Sequence, residues 1–213
     1  MIEVNDFQRD VLREMASIAG NKGLTALSER LLNEEMTVNI PQILFLQIDR
    51  ISKSIPVKIR EESEMTIVTD SPLVGDLKGN LLMMFPRDTA IFLTNLIRKA
   101  NASNKHNFDI RLLKKIAGIV SEEYLEVVRE FTDSEISFSD IFMITTYGRS
   151  IVDTYLSTVG LDVKGSFLIM AIVSFHISGH KEKECTIALT LGTKSLTKML
   201  EKINEKYPVI RRG

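Results

Sequence analysis

Phe7, Val11, Leu12, Met15, Ile18, Ala19, Leu27 and Leu31 recur at helical steps, and their spacing predicts an amphipathic helix over about residues 5–32. Asp10, Glu14, Ser17, Asn21 and Ser28 fall along its other side, because residues three and four apart stack on one face of a helix. Gly20 and Gly23 lie inside this helix, each at a cost of roughly 1 kcal/mol against alanine. Close backbone approach to a neighbouring helix or sheet accounts for such a cost, with a break in the helix as the competing explanation. A β-rich section follows, with strands expected at Met36–Pro41, Ile43–Asp49, Pro56–Glu61, Met65–Thr69 and Asp76–Phe85. Gly75 and Gly79 punctuate it, and Ser71-Pro72 marks a turn or break. Pro86-Arg87-Asp88 opens a helix that runs to about Ala100, with Asp88 as its cap, and Asn101–Asn107 forms a polar connector.

The same alternation then returns. A long helix is expected over Phe108–Phe131, a strand over Glu135–Thr145 and a short helix near Ile151–Thr158. Strands at about Val163–Ser178 and Glu184–Leu191 and a closing helix at Lys194–Lys206 complete the chain. A shift of 101 residues lays Glu14 on Lys115, Ser17 on Gly118, Ile18 on Ile119, Leu24 on Leu125 and Leu27 on Val128. Identities are few, but helix phase and element order agree, which points to an internal duplication. The expectation is an α/β chain of the α+β type. Two halves, about 1–100 and 108–206, are related by a pseudo-twofold and share one largely antiparallel sheet with long helices layered on it. No linker separates the halves, so residues 1–213 are read as a single domain.

Composition narrows the functional classes. Lys and Arg number 27 against 28 Asp and Glu, a balance that argues against a nucleic-acid protein working by bulk electrostatics. A single cysteine, Cys185, excludes an internal disulfide framework and suits a reducing compartment. The start, Met1 to Asp6, has early acids and no basic-then-apolar pattern, so no signal peptide is expected. The most apolar run, Phe167–Phe175, is too short to cross a bilayer and reads as a buried strand, so no membrane insertion is expected. These features describe a cytoplasmic protein.

Arg13-Glu14-Met15-Ala16-Ser17-Ile18-Ala19-Gly20, followed by Leu24-Thr25-Ala26-Leu27-Ser28, resembles the opening helix of the CheC family of chemotaxis proteins, related to CheX and to part of FliY. That helix begins with Asp or Ser, has Glu four residues on and Asn three beyond, runs into Thr-Ala-Leu-Ser, and is followed by a proline. Asp10, Glu14, the Thr25–Ser28 run and Pro41 match this pattern. Asp76-Leu77-Lys78-Gly79-Asn80-Leu81-Leu82 with Phe85 and Ala90 is similar to the family's midsection. Two departures stand out: Ser17 occupies the place of the family's catalytic Asn, and Lys115 and Gly118 replace both acid and amide at the second-half site.

The resemblance implies dephosphorylation of the aspartyl phosphate of a CheY-like response regulator. In that chemistry a carboxylate docks against the regulator's active-site lysine and a carboxamide orients water in line with phosphorus. The acyl phosphate is already labile and the regulator supplies its own divalent metal ion, so no cofactor of this chain is needed and positioning dominates. Glu14 is the docking carboxylate, and Ser17 or Asn21 the candidate to orient water. The Ser17 hydroxyl donates and accepts, but reaches roughly 1–2 Å less far than a carboxamide. Asn21 lies about 6 Å along the axis from Ser17. Asp10 belongs to the binding face. Lys115 is either a surface lysine beside Arg111, Glu122 and Arg129 or an aid to binding an acidic regulator pocket. The same residues allow a solvated helix face with no such role. They also allow a non-catalytic CheC-like adaptor that binds a CheD-type receptor deamidase or a motor switch component.

Other signals carry less. His176 and His180 sit in a strand running into a turn, so their spacing does not make a metal site. Cys185 reads as a small buried hydrophobe and Lys181-Glu182-Lys183-Glu184 as a solvated hairpin turn.

Overall fold

The computed structural model describes residues 4–47, 65–98, 107–147 and 167–207. Helix α1 spans Asp6–Leu27 and continues as one π-turn, Ser28–Leu32. Strands β1 (Met36–Val38), β2 (Gln42–Gln47), β3 (Met65–Gly75) and β4 (Gly79–Pro86) lead into α2 (Arg87–Arg98). Helix α3 (Ile110–Thr132), strands β5 (Ile136–Phe138), β6 (Phe142–Tyr147), β7 (Phe167–Ile177) and β8 (Cys185–Gly192), and α4 (Thr193–Lys206) follow. The expected strand Pro56–Glu61, the helix near Ile151–Thr158 and most of Asn101–Asn107 lie outside the described residues.

All pairings are antiparallel and join the eight strands into one sheet, in the order β1-β7-β8-β4-β3-β5, with β2 also on β7 and β6 also on β3. The short strands of each half therefore pair with the long strand of the other. Along β3 and β4 the side chains alternate. Ile67, Leu73, Leu81, Met83 and Phe85 join the core that receives residues from all four helices. Val68, Leu82, Met84, Met170, Ile172 and Ala188 take the opposite face and are buried as well. A strand covered on both faces reads as a continuous apolar run, as β4 and β8 do.

The two long helices agree in phase. Under the 101-residue shift Leu12, Met15, Ala16, Ala19, Gly20, Gly23, Leu24, Ala26 and Leu27 fall on Leu113, Ile116, Ala117, Val120, Ser121, Tyr124, Leu125, Val127 and Val128, and all of these are buried. Past the helices the correspondence changes by one residue: left-handed Asn33 (φ 55°) matches left-handed Asp133 (φ 44°), and Met36 and Gln42 match Ile136 and Phe142. The π-turn Ser28–Leu32 takes up this extra residue, since a π-turn widens the helix by one position. This is why the uniform helix expected to residue 32 ends as α-helix at Leu27.

Three expected boundaries need correction. Ser71-Pro72 does not end a strand, for β3 runs through it to Gly75. The interruption lies instead in the neighbouring chain. β6 pairs with Met65–Asp70 and β5 with Leu73–Gly75, so the missing N–H of Pro72 falls beside the gap, where its carbonyl accepts from Ser139 at 2.9 Å. For the same reason the strand expected over Glu135–Thr145 is two strands. Asp88 is in the first turn of α2 rather than its cap, because β4 passes directly into the helix at Arg87.

Caps and charges fix the helix ends. Asn5 and Gln8 form a capping box on α1, each side chain accepting from the other's N–H at 2.8 and 3.0 Å. Asp109 caps α3, its carboxylate accepting from Arg111 N–H at 2.8 Å. On α4, Lys198 pairs with Asp76 at 2.6 Å, Lys202 donates to the Asp133 carbonyl at 2.6 Å, and Lys206 reaches the Asp133 carboxylate at 2.7 Å and the Glu130 carbonyl. Cations there satisfy the free carbonyls and the negative end of α3.

Two buried polar groups lead to tests. The Tyr124 hydroxyl is fully buried and has no hydrogen-bond partner among the described residues. Leaving such a group unsatisfied costs on the order of 1–3 kcal/mol, so Tyr124→Phe is expected to stabilise the protein by about 1 kcal/mol in denaturant unfolding. A loss of stability would mean that the hydroxyl is satisfied. Asp70, on the far face of the sheet, is buried and accepts from the Asn80 amide at 2.7 Å. Burial pushes its carboxyl pKa up, opposed by that hydrogen bond. A carboxyl raised in the folded state favours folding below its unfolded pKa and loses that contribution as pH rises through the folded value. Asp70→Asn is therefore expected to melt higher than wild type at pH 7, with the difference closing as pH falls to about 4. A difference independent of pH would rule this out.

Candidate functional site

The polar stripe of α1 is held in place from beneath. A Cβ on Gly20 would stand 2.8 Å from Val173 Cγ1 of β7, and one on Gly23 3.1 Å from both Val120 Cγ1 and its carbonyl on α3. Glycine at these two places lets the helix lie against sheet and helix together, without a break. Lys22–Glu126 at 2.8 Å and Arg30–Glu123 at 2.5 Å tie the same helix to α3.

Glu14 is exposed, and it forms no ion pair or hydrogen bond among the described residues. Asp10 is exposed too, but its carboxylate is paired with Arg13 at 2.9 Å. Ser17 is half-buried. Asn21 is exposed, and its Nδ2 donates to the Ser17 carbonyl at 2.8 Å, which folds the amide back onto its own helix and commits one of its two N–H donors. Its second N–H and Oδ1 are held close to the helix by that bond. Glu14, Ser17 and Asn21 thus share one exposed stripe within two turns, whereas Lys115 is exposed on α3 and no ion pair joins it to Glu14. At the matching place on α3 a Cβ on Gly118 would lie 3.6 Å from Ile141 Cδ1.

One residue is not where the pattern put it. Ile18, expected on the apolar side, is 42% exposed. At about 100° per residue it stands about 40° from Glu14 around the helix, at the edge of the polar stripe. Its counterpart Ile119 is half-buried and packs against the core. The wheel angle was the signal that could have placed Ile18; its apolar character outweighed it. Ile40, on the connection between β1 and β2, is 84% exposed, while the neighbouring Pro41 is buried.

His176 is buried in β7, while His180 is exposed in the following turn with its ring 4.8 Å from Phe92. Among the described residues no group of three or more His, Cys, Asp or Glu side chains could hold a metal ion. Cys185 is buried, and burial pushes its thiol pKa up, so it is no nucleophile. No helix among the described residues is long and apolar enough to cross a membrane.

No family model matches the chain, and no curated protein matches it in sequence. Solved structures do match in three dimensions. FliY of Thermotoga maritima is 13% identical with a TM-score of 0.75, covering 96% of this chain and 100% of that one. A chain of the FliG–FliM complex of H. pylori is 12% identical with a TM-score of 0.59, covering 93% and 100%. The chemotaxis protein CheX of Desulfovibrio desulfuricans is 12% identical with a TM-score of 0.51, covering 84% and 99%. The chain has the CheC/CheX/FliY-type fold.

Proposed function

We propose that this chain is a CheC-type chemotaxis regulator that docks the stripe of α1 on the phosphorylation site of a CheY-like response regulator and hydrolyses its aspartyl phosphate slowly. The observation that carries this reading is Glu14, an exposed carboxylate without a partner among the described residues, on a helix seated by Gly20 and Gly23. A carboxylate held this way gains a charge-assisted contact when it meets an ammonium group and water is expelled. The regulator brings the divalent metal ion; this chain brings geometry. Slowness follows from Ser17, whose short hydroxyl replaces a carboxamide, and from Asn21, whose amide is folded back against the Ser17 carbonyl.

A second reading is a non-catalytic adaptor in the motor switch, favoured by the likeness to a chain of a FliG–FliM complex. A CheD-type deamidase is the other partner such an adaptor would take. Phosphate release from the phosphorylated regulator separates the readings. Acceleration above the regulator's own decay, lost in Glu14→Ala, is the result expected. No acceleration, with stable capture of a switch component or a CheD-type protein, would replace the catalytic reading with the adaptor.

A further inference from the structure

We infer that Ile18 is the apolar anchor of the regulator interface and fixes the register in which Glu14 and Ser17 meet their targets. This inference rests on the docking reading of the preceding subsection and assigns the contact that positions it. Ile18 lies one residue from Ser17, one turn after Glu14 and three residues before Asn21, with 42% of its surface exposed. A β-branched side chain gains nothing from such a position on a helix that is otherwise polar on this side, and it loses helix propensity there. The second half supplies the contrast. Ile119 is the same residue at the matching position of α3, yet it is packed against the core, and its helix carries Lys115 and Gly118 instead of an acid and a hydrogen-bonding side chain. At this matched position, isoleucine is thus uncovered on the helix that carries the acid and packed on the one that does not.

One apolar side chain flanked by Glu14 and Asn21 at the edge of a polar stripe has the anatomy of an interface hot spot, where a desolvated centre lies against polar contacts that exclude water. The occupant must offer an ammonium group for Glu14 beside an apolar patch for Ile18. A partner with a charge at that patch would have to bury it unpaired, so Ile18 selects among regulators as well as holding one. Seating Ile18 also removes water from around Glu14, which strengthens the ion pair next to it.

The test is binding of the CheY-like regulators of the source organism, each phosphorylated with acetyl phosphate, to wild type and to Ile18→Ala, Ile18→Val, Ile18→Asp, Glu14→Ala and Ile110→Ala. Ile110, 55% exposed at the start of α3, is an equally bare isoleucine away from the stripe. Expected are a loss of roughly tenfold in affinity for Ile18→Ala, equivalent to about 1.4 kcal/mol, and a larger one for Ile18→Asp. Ile18→Val should lose less affinity than Ile18→Ala, Ile110→Ala should bind like wild type, and all melting temperatures should stay unchanged. Affinity that depends on Glu14 but not on Ile18 would overturn this inference and leave the docking reading standing. Equal losses for Ile18→Ala and Ile110→Ala would overturn it as non-specific stickiness. Binding of no regulator to wild type would overturn both.

Discussion

Gly79→Ala is expected to destabilise the protein by about 3 kcal/mol or more, lowering the melting temperature of a chain this size by roughly 6–12 °C. Gly79 opens β4 opposite Leu191 of β8. A Cβ there would stand 2.0 Å from the Thr190 carbonyl oxygen and 2.9 Å from Leu191 Cδ2. The nearer atom belongs to the backbone of a paired strand, so no rotamer change relieves the clash. The location adds to the cost, because β4–β8 is the joint where the β3–β4 and β7–β8 hairpins meet. Gly118→Ala is the control. Its Cβ would lie 3.6 Å from Ile141, an ordinary contact, and alanine gains up to about 1 kcal/mol of helix propensity. Thermal unfolding of the two variants should move in opposite directions. A Gly79→Ala protein as stable as wild type would mean that β4 and β8 do not approach this closely.

The second large effect is a gain. Ser17→Asn is expected to raise the rate of phosphate release from the phosphorylated regulator by roughly a hundredfold, because a placement error of about 1 Å costs on that order. The carboxamide restores the reach, and like the hydroxyl it donates and accepts at once, as an attacking water needs. The backbone there need not change, since the Ser17 carbonyl already accepts from Asn21 within a regular helix. Adding Glu14→Ala to Ser17→Asn should abolish the gain, because an unanchored carboxamide no longer faces phosphorus. Asn21→Ala should change little. A Ser17→Asn variant no faster than wild type would leave this stripe without a role in hydrolysis.

How much of this was legible from the chain depends on the range of each interaction. The long helices were legible because their apolar spacing extends over many turns, whereas their caps, Asn5 and Asp109, were not picked out. The Thr25–Ser28 run and Glu14 carried the resemblance to the CheC family, and the observed fold agrees with it. The π-turn was not legible, since one extra residue leaves no mark on the apolar pattern until Asn33 and Asp133 are compared in space. Pro72 misled for a related reason: a proline shows where a hydrogen bond is missing, and here the missing partner is the gap between β5 and β6. The exchange of β1 and β2 onto β7 joins residues more than a hundred positions apart, and no local signal encodes it. No local signal assigns partners to the lysines of α4, yet Lys198, Lys202 and Lys206 meet Asp76 and the end of α3. At the stripe itself helix phase was enough to expose Glu14 and, had its apolar character not outweighed it, Ile18, whereas the bond from Asn21 to the Ser17 carbonyl required coordinates.

The central claim is that Glu14 meets an ammonium group on the phosphorylated regulator. A double-mutant cycle measures it directly: affinities of wild type and Glu14→Gln for the regulator and for its variant with the active-site lysine replaced by methionine. A coupling energy of about 1 kcal/mol or more is expected, as close interfacial charge pairs give. Additive losses, with no coupling between the two sites, would contradict the claim that this carboxylate and that lysine touch.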